Sequence, residues 1–354
     1  IVYMKKRVLF LGIAVTMLLC MAVGCSDDET GYTQGVWRRM SDMDGVGRSM
    51  ACSFTIDGKG YICCGYRGSN KTLLKDCWAY DIDGNYWTQC ADMPEDAQGR
   101  QSAASFALNG KGYITTGTVK EEPIYLCDTW EYDPQTDKWK QKDDFQGGRR
   151  MGAVAFSIGD YGYVGTGYND NYLKDFYRFD PSAPEGKQWE TVNGFGGYKR
   201  RFAVSFVIDG EAYICCGENN GVTTEDFWKF DGNTWTKLRD ISPTNSDEDY
   251  DDDYAIMRYH TVAFVIDGKG YIATGYVGGA TADYWMYDPS TDLWYGDIDD
   301  DFTPLTEANS GGSSRYGAAS FSTGTRGFIL SGQSGSYYMD DVYEFFPYEM
   351  EEVD

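Results

Sequence analysis

Polar and apolar residues alternate with a period of two over short runs, and no stretch carries a helical period. Runs of the Ala-x-Ser-Phe type, such as Ala51–Phe54 and Ala103–Phe106, read as strands with one buried face. A second strand ends each time in a glycine, as in Gly60-Tyr61-Ile62-Cys63-Cys64-Gly65. Between the two lie Asp57-Gly58, Asn109-Gly110, Asp209-Gly210 and Asp267-Gly268, dipeptides that tolerate the positive φ angles of a two-residue hairpin. A third strand starts at Asp76, Asp128, Asp175, Asp226, Asp283 or Asp341. A fourth is headed by Trp87, Trp139, Trp189, Trp235 or Trp294.

The four strands recur as a unit. The eighteen residues Arg48–Gly65 return from Arg100, Arg150, Arg200, Arg258 and Arg315, with Phe six positions after Arg and Gly seventeen after it every time. Such a period marks a repeat architecture whose units bury their faces against one another. The last repeat lacks its Trp, but Trp37-Arg38-Arg39-Met40 near the start matches Trp87-Thr88-Gln89-Cys90. The N-terminal segment is therefore expected to supply the outer strand of the last unit. Closing the ring in this way removes the exposed sheet edges that invite aggregation.

An apolar strand ending in Gly, then an aromatic, then a Trp, repeated over residues 36–348, resembles the Kelch repeat. The resemblance implies an all-β, six-bladed β-propeller closed by the Trp37 strand. One departure recurs. The family has Gly-Gly after the second strand, whereas this chain has Cys64, Thr116, Thr166, Cys216, Thr274 or Ser331 before the glycine.

In such a blade the tight first-to-second and third-to-fourth turns share one face, and the variable loops share the other. From Trp to the next Arg takes 11 to 13 residues in four repeats, but 23 after Trp235 and 21 after Trp294. Variable loops on a rigid scaffold are where binding concentrates. Two sets of ligand-binding candidates meet on that face. One is the ring Arg48, Arg100, Arg150, Arg200, Arg258 and Arg315, whose forked donors suit a carboxylate but equally suit carbonyls and carboxylates between blades. The other follows each repeat's glycine: Tyr66, Tyr168, Glu218, Tyr276 and Gln333, with Thr118 in the second repeat. Tyrosines there suit stacking on sugar rings. The acidic runs Asp247–Asp253 and Asp297–Asp301 read as solvated loops. Counted from Asp249, they fail the Ca²⁺-loop pattern, with His260 in the place that needs Glu.

Charge and address narrow the role. A formal net charge of −24 repels nucleic acid. Lys5-Lys6-Arg7 followed by the apolar run Val8–Leu19 reads as a signal peptide over residues 1–24, too short to span a bilayer. It ends in Ala22-Val23-Gly24-Cys25, which resembles a bacterial lipobox, and Ser26-Asp27-Asp28-Glu29 resembles the export signal of Bacteroidota surface lipoproteins. That resemblance implies lipidation at Cys25, an anchor linker over 25–35, an acidic tail over 349–354 and a surface-exposed outer-membrane location. The membrane would be met through the lipid alone, and the protein is expected to be a monomer. The remaining cysteines fit no disulfide framework and read as packing.

Catalysis finds little material. Galactose oxidase, a copper enzyme of this fold, uses several His and Tyr ligands, and this chain has one histidine, His260. No nucleophile elbow or phosphate-cradling loop is present. The expectation is a non-catalytic propeller without cofactor or metal that binds a glycan or an envelope protein. The alternative is an enzyme like the Kelch-type sialic acid epimerases, acting on an anionic sugar without metal, with Glu218 as general base.

Overall fold

A computed structural model describes residues 31–68, 72–242, 254–296 and 313–353. Six four-stranded antiparallel sheets follow one another along the chain, with no α-helix among the described residues. Blade 1 is built from Cys52–Ile56, Lys59–Cys63, Cys77–Asp81 and Tyr86–Cys90. Blades 2 to 5 repeat that order over 104–142, 154–192, 204–237 and 262–295. Blade 6 takes Ala319–Ser322, Gly327–Leu330 and Val342–Val353 from the end of the chain and Gly31–Arg39 from its start. The innermost strands pack against one another in sequence, and Ala319–Ser322 returns against Cys52–Ile56.

The closing strand is the one expected. Trp37 lies opposite Phe345 in register and packs on its ring at 4.5 Å. Beyond it the Trp87 indole of blade 1 donates to Ser41 O at 3.0 Å, tying the N-terminal segment to the first blade as well. The pairing runs further than the expected boundaries. Gly31–Gln34 pair with Met350–Val353, so residues 31–35 of the stretch assigned to the linker and 349–353 of the acidic tail continue the strands.

Two repeated residues explain how the blades fit. The Phe of each inner strand is buried, and in blades 1 to 5 it stacks on the Tyr of the second strand, as Phe54 on Tyr61 at 5.3 Å and Phe106 on Tyr113 at 5.2 Å. Its outer edge presses into the next blade where that blade has a glycine. A Cβ at Gly112 would lie within the Phe54 ring, and one at Gly162 within the Phe106 ring. The repeat's last glycine has the second role. Its N–H donates to the carbonyl of the following blade's arginine, from Gly65 to Arg100 at 2.8 Å around to Gly332 and Arg48 at 2.8 Å. All six such bonds are made, which closes a backbone hydrogen-bond circuit around the axis.

The departure from Gly-Gly has a physical meaning. Cys64, Thr116, Thr166, Cys216, Thr274 and Ser331 all stand at φ between 58° and 66°. This is the left-handed region in which glycine carries no Cβ penalty. The chain accepts that strain six times. Cysteine packing holds for most of the set, with one correction: Cys63 and Cys77, opposite each other in register, are joined by a disulfide. Cys52, Cys64, Cys215 and Cys216 are buried free thiols. The signal segment with Cys25 and both acidic loops, Asp247–Asp253 and Asp297–Asp301, lie outside the described residues.

Candidate ligand-binding face

Each repeat's arginine is fully buried, and its guanidinium is closed on the aspartate that heads the third strand of its own blade. In blade 2, Arg100 meets Asp128 through two parallel bonds of 2.7 and 2.6 Å, and donates to Thr116 O at 3.1 Å and Gln98 O at 3.2 Å. The Trp130 indole caps the same carboxylate at 2.6 Å. Burial works to raise the Asp128 carboxyl, but the hydrogen bonds and charge of Arg100 outweigh it and hold it below the ordinary carboxylate range. Asp76 and Asp283 are held down in the same way by Arg48 and Arg258. Arg48, Arg100, Arg150, Arg200, Arg258 and Arg315 therefore leave the set of ligand groups. They are clamps that join the first, second and third strands of one blade rather than bridges between blades. Their signal was in the sequence, since six aspartates recur in their own column.

The residues after each glycine are brought together as a ring. Each forms a reciprocal backbone pair with the residue just after the repeat's arginine: Ser49 with Tyr66, Gln101 with Thr118, Met151 with Tyr168, Arg201 with Glu218, Tyr259 with Tyr276 and Tyr316 with Gln333. Side chains then link blade to blade. Tyr276 stands edge-on to Tyr316 at 5.3 Å, Gln333 Nε2 donates to the Tyr316 hydroxyl at 2.6 Å, and Ser49 Oγ donates to Gln333 Oε1 at 2.6 Å. Tyr168 packs against Tyr172 at 4.9 Å and Tyr125 at 6.2 Å. Hairpin extensions of the second and third strands, such as Glu218-Asn219 with Val222-Thr223, raise a crown around this ring.

Arg201 joins this ring although the repeat spacing does not single it out, since Arg200 alone keeps the Arg-to-Gly interval. Its guanidinium lies over the rings of Tyr168 at 4.9 Å, Phe202 at 5.0 Å and Tyr172 at 5.6 Å. It pairs with Glu218, which is 2 % exposed. Glu218 also accepts from the Tyr172 hydroxyl at 3.0 Å and from Gly221 N–H at 2.8 Å. The carboxylate thus has three donors from its surroundings.

At the axis the chain turns through a second set of left-handed residues, two after each arginine: Met50, Ser102, Gly152, Phe202, His260 and Gly317, with φ between 54° and 62°. Neighbours are joined by backbone bonds, for example Ser102 N to Met50 O at 3.0 Å and Gly317 N to His260 O at 2.9 Å. They surround a pit of about 160 Å³. In sequence this column varies among Met, Ser, Gly, Phe and His, which gives no reason to group it. The bend points those side chains at the axis. Phe202 lies against His260 at 3.7 Å, and burial together with the Arg201 charge pulls the imidazole down to about 3, so it is neutral. Among the described residues no group of three His, Cys, Asp or Glu is placed to hold a metal ion.

A Kelch motif model matches residues 47–94, the first blade with its preceding loop. The protein is a six-bladed β-propeller whose first blade carries a Kelch motif. A solved structure titled "Structure of YjhT" superposes on this propeller with a TM-score of 0.67 at 17% identity, covering 86% of this chain and 95% of that one. At that identity the likeness is one of fold. No curated protein matches the sequence.

Proposed function

We propose that this propeller binds a glycan on the face of the long loops, without chemistry of its own, as a lipid-anchored protein of the cell envelope. The observation that carries this reading is the ring of half-buried tyrosines around the axis, interleaved with Gln333, Ser49 and the Arg201–Glu218 pair. Aromatic faces bordered by fixed hydrogen-bonding groups suit the apolar faces and rim hydroxyls of pyranose rings. Glu218 is the base an anionic-sugar epimerase would need. With Arg201, Tyr172 and Gly221 already upon it, the carboxylate serves as a positioning group, which favours binding over turnover. The strand Gly31–Arg39 enters blade 6 from the side of the tight turns, so a tether at Cys25 leaves the ring facing away from its membrane. No helix among the described residues is long and apolar enough to cross one.

The test is a glycan-library screen on the purified protein, with and without Ca²⁺ to include the acidic loops. Saturable binding that falls at least tenfold in Tyr168→Ala or Tyr276→Ala supports the reading. Silence across the library, with a protein partner captured by cross-linking on cells, overturns it.

A further inference from the structure

We propose that the axial pit is a terminal subsite, which takes the last ring of a neutral glycan end-on while the tyrosine ring holds the units behind it. This rests on the glycan reading above and adds to it which part of the chain is recognised and which charge is accepted.

The argument starts from the six residues that turn at the axis. In a six-bladed ring, blades three apart face each other, so Ser102 of blade 2 stands across the pit from His260 of blade 5. Met50 of blade 1 likewise stands across from Phe202 of blade 4. The two remaining positions are Gly152 and Gly317, and they are small for a reason. A Cβ on Gly152 would sit 2.8 Å from the Phe202 ring, and one on Gly317 would sit 2.8 Å from Met50 Sδ. The glycines let Phe202 and Met50 lie across the neighbouring blades as apolar walls. Between those walls stand two polar groups, the Ser102 hydroxyl and the His260 imidazole, and neither side chain makes a hydrogen bond to the described residues.

This is a slot with two apolar sides and two opposed hydrogen-bonding ends. A sugar ring has the complementary shape, with C–H faces and hydroxyls around its edge. At about 160 Å³ the pit is small beside sites that enclose a whole ligand, which run to roughly 300–1,000 Å³. One ring enters, and a chain cannot pass across it. The charge around the slot selects a neutral guest. The imidazole is uncharged, and Arg201, the cation over the Phe202 ring, is already matched by Glu218. A carboxylate would have to displace Glu218 from Arg201, in a protein whose net charge is −24.

The experiment compares neutral glucan, mannan and xylan tetrasaccharides with their parent polysaccharides as competitors against the intact protein, counted once by mass and once by number of chain ends. End-on seating predicts that competition follows the number of ends. Ser102→Ala and His260→Phe should each weaken tetrasaccharide binding about fivefold, as expected for one lost hydrogen bond. Ser102→Phe fills the pit without new backbone strain, since Ser102 already holds φ 54°, and should abolish end binding. Competition that follows mass, with Tyr168→Ala weakening it and the pit variants silent, would overturn the terminal subsite and leave the glycan-binding face standing. Absence of binding by every neutral polymer and oligomer would overturn the terminal subsite, and absence of binding by acidic glycans as well would overturn the glycan-binding face.

Discussion

Replacing Asp128 by Asn asks whether the arginine ring is structural, and the geometry sets the size of the answer. The change removes the charge opposite a fully buried guanidinium and turns one of two acceptor atoms into a donor that faces Arg100 Nη. Breaking a buried ion pair from one side costs about 3–5 kcal/mol, because the other charge stays behind uncompensated. Side-chain exposure of 22% at Asp128 admits some water, which places the expected loss near the lower end, about 3 kcal/mol. Urea unfolding followed by tryptophan fluorescence reads this as a lower midpoint at unchanged slope. Asp57→Asn, at an exposed hairpin turn whose φ of 48° suits either residue, is the control and should stay within about 0.5 kcal/mol. Arg100→Met combined with Asp128→Leu should cost far less than the two single changes added together, since the pair is then removed whole. A loss under about 1 kcal/mol in Asp128→Asn, or additivity in the cycle, would show that the clamp reasoning is mistaken. So would a gain or loss of glycan affinity in the folded variant, because it would return the arginines to the ligand surface.

Other expectations follow from the same geometry. Thr166→Gly removes left-handed strain of about 1–2 kcal/mol and a buried hydroxyl without a partner, against about 0.8 kcal/mol of lost methyl burial and about 1 kcal/mol of glycine entropy. It should raise stability by about 1 kcal/mol in urea, and a drop would show that the strain is not there. Gly162→Ala puts a methyl group into the Phe106 ring and should cost about 1–3 kcal/mol, read from the same midpoints. Deleting Gly35 to Asp42 removes Trp37 and the outer strand of blade 6 and should yield insoluble protein; a soluble product of full stability would contradict closure. Acid should act in two stages. His260, neutral in the fold and protonated more readily when unfolded, makes stability fall as pH drops below about 6.5 towards 3. Asp76, Asp128 and Asp283, whose carboxyls sit lower folded than unfolded, hold their contribution above about pH 4 and lose it as pH falls further. Proton uptake on unfolding at pH 5 should therefore be smaller in His260→Phe than in the parent, and equal uptake would place the imidazole in solvent.

The sequence by itself determined the architecture, because a propeller blade needs only local information. Period-two alternation sets the strands, and Asp-Gly or Asn-Gly sets the tight hairpins: Asp57 at φ 48° and Gly58 at φ 73° take the conformations those residue types permit. The Arg-to-Gly spacing sets the register, and the missing last Trp with the stray Trp37 sets how the ring closes. The ring of residues after each glycine was legible for the same reason, since it occupies a constant offset in every repeat. Tertiary structure decided what each column does. The arginines and the aspartates that lock them are separated by 25 to 28 residues, so no local pattern joins them until the first and third strands lie in one sheet. The pit was hidden more deeply. Met50, Ser102, Phe202 and His260 share no chemistry and follow no motif, so nothing in their sequence joins them. Only a left-handed bend in all six blades turns that column towards one axis, where four unlike side chains and two glycines become the walls of a single site.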